Sequence, residues 1–551
     1  MLASAFETTV AWLTRSPWAS AAAIVVVSLA CFLPGFASLP PLDGDEPGYV
    51  VAAREMVATG DYATIRLQTD DAEWRPRGGY WAQALFVALG GGEPPIWVNR
   101  LPSLAAAIAV ALLTWWTTLA FGRPEAALFA GLFVAASGVV GLAARLATPD
   151  TMLLAGIMLA AGALARVWHP QVVKMNDVVA LMFWTGLGIG ILAKGIVAPA
   201  VIGTAVAILS IERGGLRWLR KLRPGSGLVW LYLIVSPWLI AATLNWLQGS
   251  AGEPSDEFLR RVGVPFSLDA PPGTFTLVVP LLAGPAVTYL FLALLWIVGD
   301  LRRPVVLFAL ALGGPLWLAA ELVTAKVPQN ILPAVPAIAM LAAAAIDAGG
   351  ARITGRISWF YSLGPLIWPP LIAVVIPAAF FALEGWFPWA ALAAFMVGAL
   401  LGPVTWVWLR QGRLAASALM SVVTVIFIYV GFFGALAPSF QSLRVGERVA
   451  AVPMPCADPV YAVAGHPEES MVLALGRGTR IVDAWTAADF LNSAGCRVAA
   501  VDRSQITSFR QRADDIGLAL TDQASIAGFN FRKMRAVDIH LFTADATGAT
   551  P

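Results

Sequence analysis

Charge is scarce in this sequence: Asp, Glu, Lys and Arg make up 13% of its 551 residues. A soluble domain carries roughly 25%, so there is too little solvating charge for an ordinary water-exposed surface. The 36 basic and 34 acidic residues nearly cancel, leaving a net charge of +2. That balance excludes a nucleic-acid partner held by bulk positive charge. Histidine and cysteine are as sparse. His169, His466 and His540 stand far apart, and the three cysteines form no motif with them. No Cys/His metal centre is legible, so a divalent metal has no ligand cluster to support it and no cofactor is assigned. A glycine-rich phosphate loop is missing too, which removes a cytosolic nucleotide-sugar site. Fifty glycines and 38 prolines exclude a continuous coiled coil. What remains is apolar, with 58% hydrophobic residues and a mean hydropathy of +0.74. These values describe an integral membrane protein.

A membrane-crossing helix needs about 20 mostly apolar residues. Thirteen segments meet that description, near 19–37, 101–121, 126–144, 151–168, 178–193, 195–211, 227–245, 274–298, 305–323, 331–347, 359–382, 388–409 and 415–436. The fifth and sixth are separated only by Ala193, Lys194 and Gly195, so one broken or re-entrant helix is an alternative there. The first lacks a basic leader and a cleavage site and reads as an anchor, not a signal peptide. Fifteen Lys and Arg fall in the short loops of one side, among them Arg213, Arg217, Arg220, Lys221 and Arg223. By the positive-inside rule this sets the N-terminus in the cytoplasm and the C-terminal region in the periplasm. Residues 1–436 form the membrane part, with 38–99 as its first external loop, and 437–551 form a periplasmic domain. In that tail, strands are expected over 459–464, 480–483, 497–501 and 537–542, and helices over 468–475, 486–493 and 508–518. The alternation describes a small α/β domain. Cys456 and Cys496 both lie there, and an oxidising compartment permits their pairing without requiring it.

Charges near a bilayer are expensive and need a reason. The first external loop opens with Asp43, Asp45 and Glu46, three carboxylates within four residues. One of them can serve as a base toward an acceptor hydroxyl. Equally, Asp45 and Glu46 can cap the helix that follows. Further on, Arg75 and Arg77 sit among aromatics. They suit a phosphate held in a bidentate fork, or lipid headgroups met by snorkelling side chains. Three more turns on that face carry charge: Arg145 to Asp150, Ala193-Lys194-Gly195, and Ala325 to Asn330. Cations and carboxylates returned repeatedly to one surface suit an anionic, lipid-linked substrate. The Gly465-His466-Pro467-Glu468-Glu469-Ser470 stretch of the tail reads either as a helix start or as a contact to that site.

Together, Asp45-Glu46-Pro47-Gly48-Tyr49, Ala53-Arg54-Glu55-Met56, Arg75-Pro76 with Tyr80-Trp81, Arg100-Leu101-Pro102-Ser103, Arg145 to Asp150, Ala193-Lys194-Gly195 and Lys326 to Pro333 resemble, in order and spacing, the lipid-carrier-dependent glycosyltransferases of the GT-C fold. The likeness is to glycosyltransferase family 83, the aminoarabinose lipid A transferase type, related to the protein O-mannosyltransferases. It covers about residues 38–340 and, more loosely, the tail. The resemblance implies Asp45 as general base, with Glu46 beside it and Asp150 orienting the acceptor or the loop. Arg75, Arg77, Lys194, Arg260, Arg261 and Lys326 would hold the donor phosphate, and Tyr49, Tyr80 and Asn330 would touch substrate. Gly48 stands where relatives carry an Arg, Trp74 where they carry a Glu, and Asn330 where they carry a Tyr. These departures leave the donor sugar and any metal open.

The expected function is inverting transfer of a sugar from a polyprenyl-phosphate donor to an envelope acceptor, lipid A or lipopolysaccharide core, at the outer face of the bacterial inner membrane. A protein O-mannosyltransferase-like enzyme is one alternative. A flippase of lipid-linked sugars is another, although the span centres are nearly free of the ionisable residues it would use. A non-catalytic assembly protein whose tail binds a ligand is a third.

Overall fold

The computed structural model describes residues 2–67, 75–169, 177–247, 268–323, 325–326, 328–351, 353, 355–530 and 535–544. In a bilayer every backbone polar group needs an internal partner, so apolar segments of this length fold as helices. The membrane part begins with α1 (Leu2–Leu13) and α2 (Pro17–Phe32), bent by 120° at the break before Pro17. Next come α3 (Asp45–Thr59) and α4 (Gly78–Leu89), both within the 38–99 loop, then α5 (Ile96–Thr118), α6 (Pro124–Ala135) and α7 (Gly138–Ala143). They are followed by α8 (Asp150–Trp168), α9 (Asp177–Lys194), α10 (Val197–Arg213) and α11 (Pro224–Leu247). The short helices α12 (Thr274–Ala283), α13 (Ala286–Leu292) and α14 (Leu294–Gly299) precede α15 (Pro304–Leu322) and α16 (Ala334–Asp347). A last group holds α17 (Arg356–Ser362), α18 (Gly364–Glu384), α19 (Trp389–Arg410) and α20 (Leu414–Tyr429), the last continuing into a π-helical turn, Val430–Leu436.

All thirteen apolar segments fall on helix, but not all are single straight rods. Among the described residues, eight helices are long and apolar enough to cross a membrane, or nine if the bent first pair is one span. The segment near 126–144 breaks at Ala136 and Ser137, and the one near 274–298 breaks into three helices. Around Lys194, two separate helices meet at Gly195, whose φ of +60° favours glycine.

α8 lies deepest and packs against α5 and α9. Its contact with α9 runs through glycine: a Cβ on Gly156 would sit 2.7 Å from the Gly186 carbonyl and from the Gly190 nitrogen. Small residues let the two backbones approach closely, as membrane helices do where no hydrophobic force separates them from lipid. That approach brings the first residue of α8, Asp150, beside the last residue of α9, Lys194. Each charge also sits at the helix end that favours its sign.

The C-terminal region carries α21 (Val445–Ala450), β3 (Val460–Ala464), α22 (Glu469–Leu475), β4 (Arg480–Val482), α23 (Ala484–Leu491), β5 (Arg497–Asp502), α24 (Ile506–Asp515), β6 (Leu520–Asn530) and β7 (Arg535–Ala544); the pair β1 (Leu268–Asp269) and β2 (Ala325–Lys326) lies apart, in the membrane part. The five strands order as β4-β3-β5-β7-β6, parallel among β4, β3 and β5 and antiparallel for the β6–β7 hairpin. β6 is the strand that sequence reading leaves out. Its Asp522, Gln523, Ser525 and Gly528 dilute the alternation of an edge strand. Cys456 and Cys496 are joined by a disulfide in this domain, while Cys31 is free and buried.

Asp483 caps α23: its carboxylate accepts from the Thr486 backbone N–H at 2.8 Å and from the Thr486 hydroxyl at 3.0 Å. Those bonds hold the carboxyl below its ordinary range. The stabilisation is therefore present above the unfolded-state pKa and is lost as pH falls through the lower folded value. Asp483→Ala is expected to weaken α23 by about 1 kcal/mol, read as roughly fivefold faster amide exchange over that helix in the full-length protein.

Candidate active site

The three carboxylates of the 43–46 run separate onto three different surroundings. Glu46 is buried and forms a two-pronged ion pair with Arg100, at 2.7 Å to Nε and 3.0 Å to Nη2. It also accepts the Ala147 backbone N–H at 2.9 Å. Arg100 is fully buried and donates onward to the carbonyls of Phe36 (3.1 Å) and Leu39 (2.9 Å). Glu46 was expected beside the base as a catalytic group; its oxygens instead tie α3 to α5 and to the turn before α8. Asp43 turns the other way, to the C-terminal domain, where the Ser470 hydroxyl donates to it at 2.5 Å. Asp45 lies between the two on the first turn of α3, and of the three it alone is exposed.

The turn that leads to Asp150 is fastened from three sides. The Gln83 amide donates to the Ala147 carbonyl at 2.9 Å, and the Ser103 hydroxyl to the Thr148 carbonyl at 2.9 Å. Glu46 supplies the third tie. Asp150 is itself buried and its Oδ1 lies 2.6 Å from Lys194 Nζ. Arg75 and Pro76 come to the same place because α4 begins against the end of α9: a Cβ on Gly78 would lie 2.7 Å from the Leu192 carbonyl, and one on Gly195 would lie 3.6 Å from Pro76.

Tyr49 stands at the centre. Its ring stacks on Tyr80 with centroids 4.4 Å apart. Its phenol is pushed well above the ordinary range, first by burial, then by Tyr80, against the pull of Arg75 and with further help from Asp45 and Asp150. Asp45, Arg75 and Asp150, the last paired with Lys194, therefore all lie near the Tyr49 phenol.

Two other expected phosphate ligands are buried on backbone carbonyls. Arg77 is fully buried, and its Nε donates to the Ala63 carbonyl at 2.6 Å, closing the 38–99 loop on itself. Lys326 is buried and donates to the carbonyls of Ala320 (2.9 Å) and Glu321 (2.6 Å). Those are last-turn carbonyls of α15, which a lysine suits because they lack helical partners. Asn330 is exposed on the neighbouring 3₁₀ turn, Pro328–Ile331. Arg260 and Arg261 lie outside the described residues. Arg145 is a staple: it donates to the carbonyls of Pro34 (2.8 Å), Gly141 and Cys31, with its guanidinium 3.8 Å above Phe433. Sequence reading assigned no role to Arg100 or Gln83. The available signal was the polar set Asn99, Arg100 and Ser103 at the start of an otherwise apolar helix, since a charge there demands a partner. Among the described residues, no three His, Cys, Asp or Glu are grouped to hold a metal ion.

An apolar cavity of about 1090 Å³ opens at the foot of the Asp43–Glu46 loop. Leu39 and Leu42 line it at that end, and Phe291, Trp368, Tyr429 and Phe433 line it deeper among the helices.

Comparison with known proteins agrees with this architecture. Residues 75–240 match the family described as dolichyl-phosphate-mannose-protein mannosyltransferase. The undecaprenyl phosphate-alpha-4-amino-4-deoxy-L-arabinose arabinosyl transferase of Aeromonas salmonicida is 24% identical over 201 residues, which is 36% of this chain and 36% of that protein's length. Among solved structures, ArnT from Cupriavidus metallidurans bound to undecaprenyl phosphate superposes with a TM-score of 0.71 at 20% identity, covering 96% of this chain and 99% of the other. Its apo form gives 0.70 at 19%, covering 96% and 98%. The Archaeoglobus fulgidus oligosaccharyltransferase gives 0.51 at 9%, covering 92% and 69%. The chain is an integral membrane protein with the fold of the GT-C glycosyltransferases, and part of its sequence is similar to an aminoarabinose transferase and to the protein O-mannosyltransferase family.

Proposed function

We propose that this protein transfers a sugar from a polyprenyl-phosphate donor to a hydroxyl of a lipid A-type or other envelope acceptor, at the outer face of the bacterial inner membrane. One observation carries the reading: an exposed carboxylate, Asp45, shares a centre with Arg75 and with the Asp150–Lys194 pair. The likeness to ArnT, whose solved structure holds undecaprenyl phosphate, supports a polyprenyl-phosphate donor. Hydrocarbon from either lipid substrate suits the apolar cavity beside Leu42.

The reaction is a single displacement. The acceptor oxygen bonds to the anomeric carbon as the bond from that carbon to the phosphate oxygen breaks, inverting the centre. The acceptor's proton passes to Asp45, and polyprenyl phosphate leaves with the additional negative charge. Arg75 and Lys194 strengthen their hold as that charge develops, which lowers the barrier selectively. Lys194 carries three N–H donors on a side chain that is partly exposed beside Asp150.

The test is release of polyprenyl phosphate from synthetic decaprenyl-phosphate pentoses and hexoses by purified protein in nanodiscs, with and without lipid A. Turnover of none of them overturns the reading. Lys194→Ala is expected to raise the donor KM about tenfold or more, the worth of one charge-assisted contact. An unchanged KM would remove Lys194 from the phosphate site.

A further inference from the structure

We propose that Ser470 and His466 of the C-terminal domain are positioning residues for Asp45, making that domain a working part of the active site. This rests on the reading of Asp45 as the base.

Gly44 separates Asp43 from Asp45, with φ of +128°, a conformation that side chains rarely adopt. Among the described residues, nothing lies within 4 Å of the position a Cβ would take there. Gly44 itself therefore contributes no side-chain packing to the turn that aims Asp45. Its direction depends on the anchors at either side. On the C-terminal side the anchor is Glu46, clamped by Arg100 and the Ala147 N–H. On the N-terminal side it is Asp43, and two of its partners come from more than 400 residues away in the chain. Ser470 Oγ donates to Asp43 Oδ1 at 2.5 Å, and His466 Nε2 lies 3.7 Å from Asp43 Oδ2.

Those partners are themselves built in. His466 is fully buried. Asn530, at the end of β6, donates to Glu468 Oε1 at 3.1 Å and lies 3.4 Å from His466 Nδ1. These contacts place Nδ1 toward Asn530 and Nε2 toward Asp43. Gly465, at φ +82°, makes the turn into this run, and a Cβ there would lie 2.8 Å from Asp502 Cβ. The sheet thus sets the histidine, and the histidine and serine set the aspartate. Separate contacts dock the domain on the same loop: Arg477 Nε to Glu93 Oε1 at 3.2 Å, and Arg444 Nη2 to the Ser38 carbonyl at 3.1 Å. They involve neither Asp43 nor Asp45, so loss of docking and loss of aim can be told apart. A base displaced by even 1 Å costs on the order of 100-fold in rate.

The test compares Ser470→Ala, Ser470→Thr, His466→Ala and Arg477→Ala in the full-length protein in nanodiscs. Amide exchange over 43–50 is expected to quicken at least tenfold in Ser470→Ala and His466→Ala, with exchange in β3 and β5 unchanged, so the domain stays folded. With whichever decaprenyl-phosphate sugar the wild type consumes, kcat is expected to fall at least tenfold while the donor KM stays within twofold. Ser470→Thr restores both values, and Arg477→Ala leaves kcat as it was. A loop that stays slow to exchange, or one that loosens with normal kcat, overturns the proposal. Should the wild type consume no donor, the glycosyl-transfer reading fails by itself, and the exchange data still decide whether the domain holds the loop.

Discussion

Asp45→Asn is expected to lower kcat by at least about 100-fold, the usual worth of a positioned general base, with the fold and donor binding preserved. Asparagine keeps the size but has no basic oxygen to take the acceptor's proton. Preservation of the fold follows from burial. Asp45 is exposed and the structural load at this turn falls on its buried neighbour, Glu46. The experiment measures sugar transfer and binding of polyprenyl phosphate alone, side by side. Transfer should collapse while binding stays within twofold of wild type. Near-normal turnover would remove Asp45 from the chemistry and with it the proposed displacement.

Arg100→Ala has the largest expected effect on stability. Arg100 is fully buried, and the substitution leaves the Glu46 carboxylate buried without its cation. Breaking such a pair on one side costs about 3–5 kcal/mol. The carbonyls of Phe36 and Leu39 lose their donor in the same step. Because Glu46 also holds the Ala147 N–H, the damage reaches the turn that presents Asp150. Thermal unfolding in detergent should shift downward strongly and transfer should be lost. Glu46→Gln combined with Arg100→Met should recover a good part of the stability, since no unpaired charge is then buried. A double variant as unstable as Arg100→Ala would show that the carbonyl contacts, not the ion pair, carry the effect.

The two expectations separate neighbouring carboxylates that look alike in the sequence. Asp43, Asp45 and Glu46 differ by a methylene at most, yet one is held by another domain, one is exposed and one is buried on arginine. Burial and partner decide which carboxylate can act as a base, and both are tertiary properties. The same holds for the cations. Lys194 and Lys326 each sit in a short polar turn between apolar segments. Lys194 ends a helix beside Asp150, whereas Lys326 folds back on the carbonyls of α15.

By itself, the sequence determined that the chain lies in a membrane, that its apolar segments are helical, and that a small α/β unit follows them; the breaks within those segments are not legible there. These properties depend on local hydropathy and period, which each segment carries with it. The motifs also marked Asp45, Glu46, Asp150, Arg75, Arg77, Lys194, Arg260, Arg261 and Lys326 as one group; of these, Asp45, Arg75 and Asp150 lie near Tyr49, with Lys194 on Asp150. Only the tertiary structure decided that Glu46, Arg77, Arg100 and Arg145 brace the site, and that His466 and Ser470 reach Asp43. The physical reason is distance along the chain. Such ties join residues tens to hundreds of positions apart, and no local pattern records which buried charge will meet which partner.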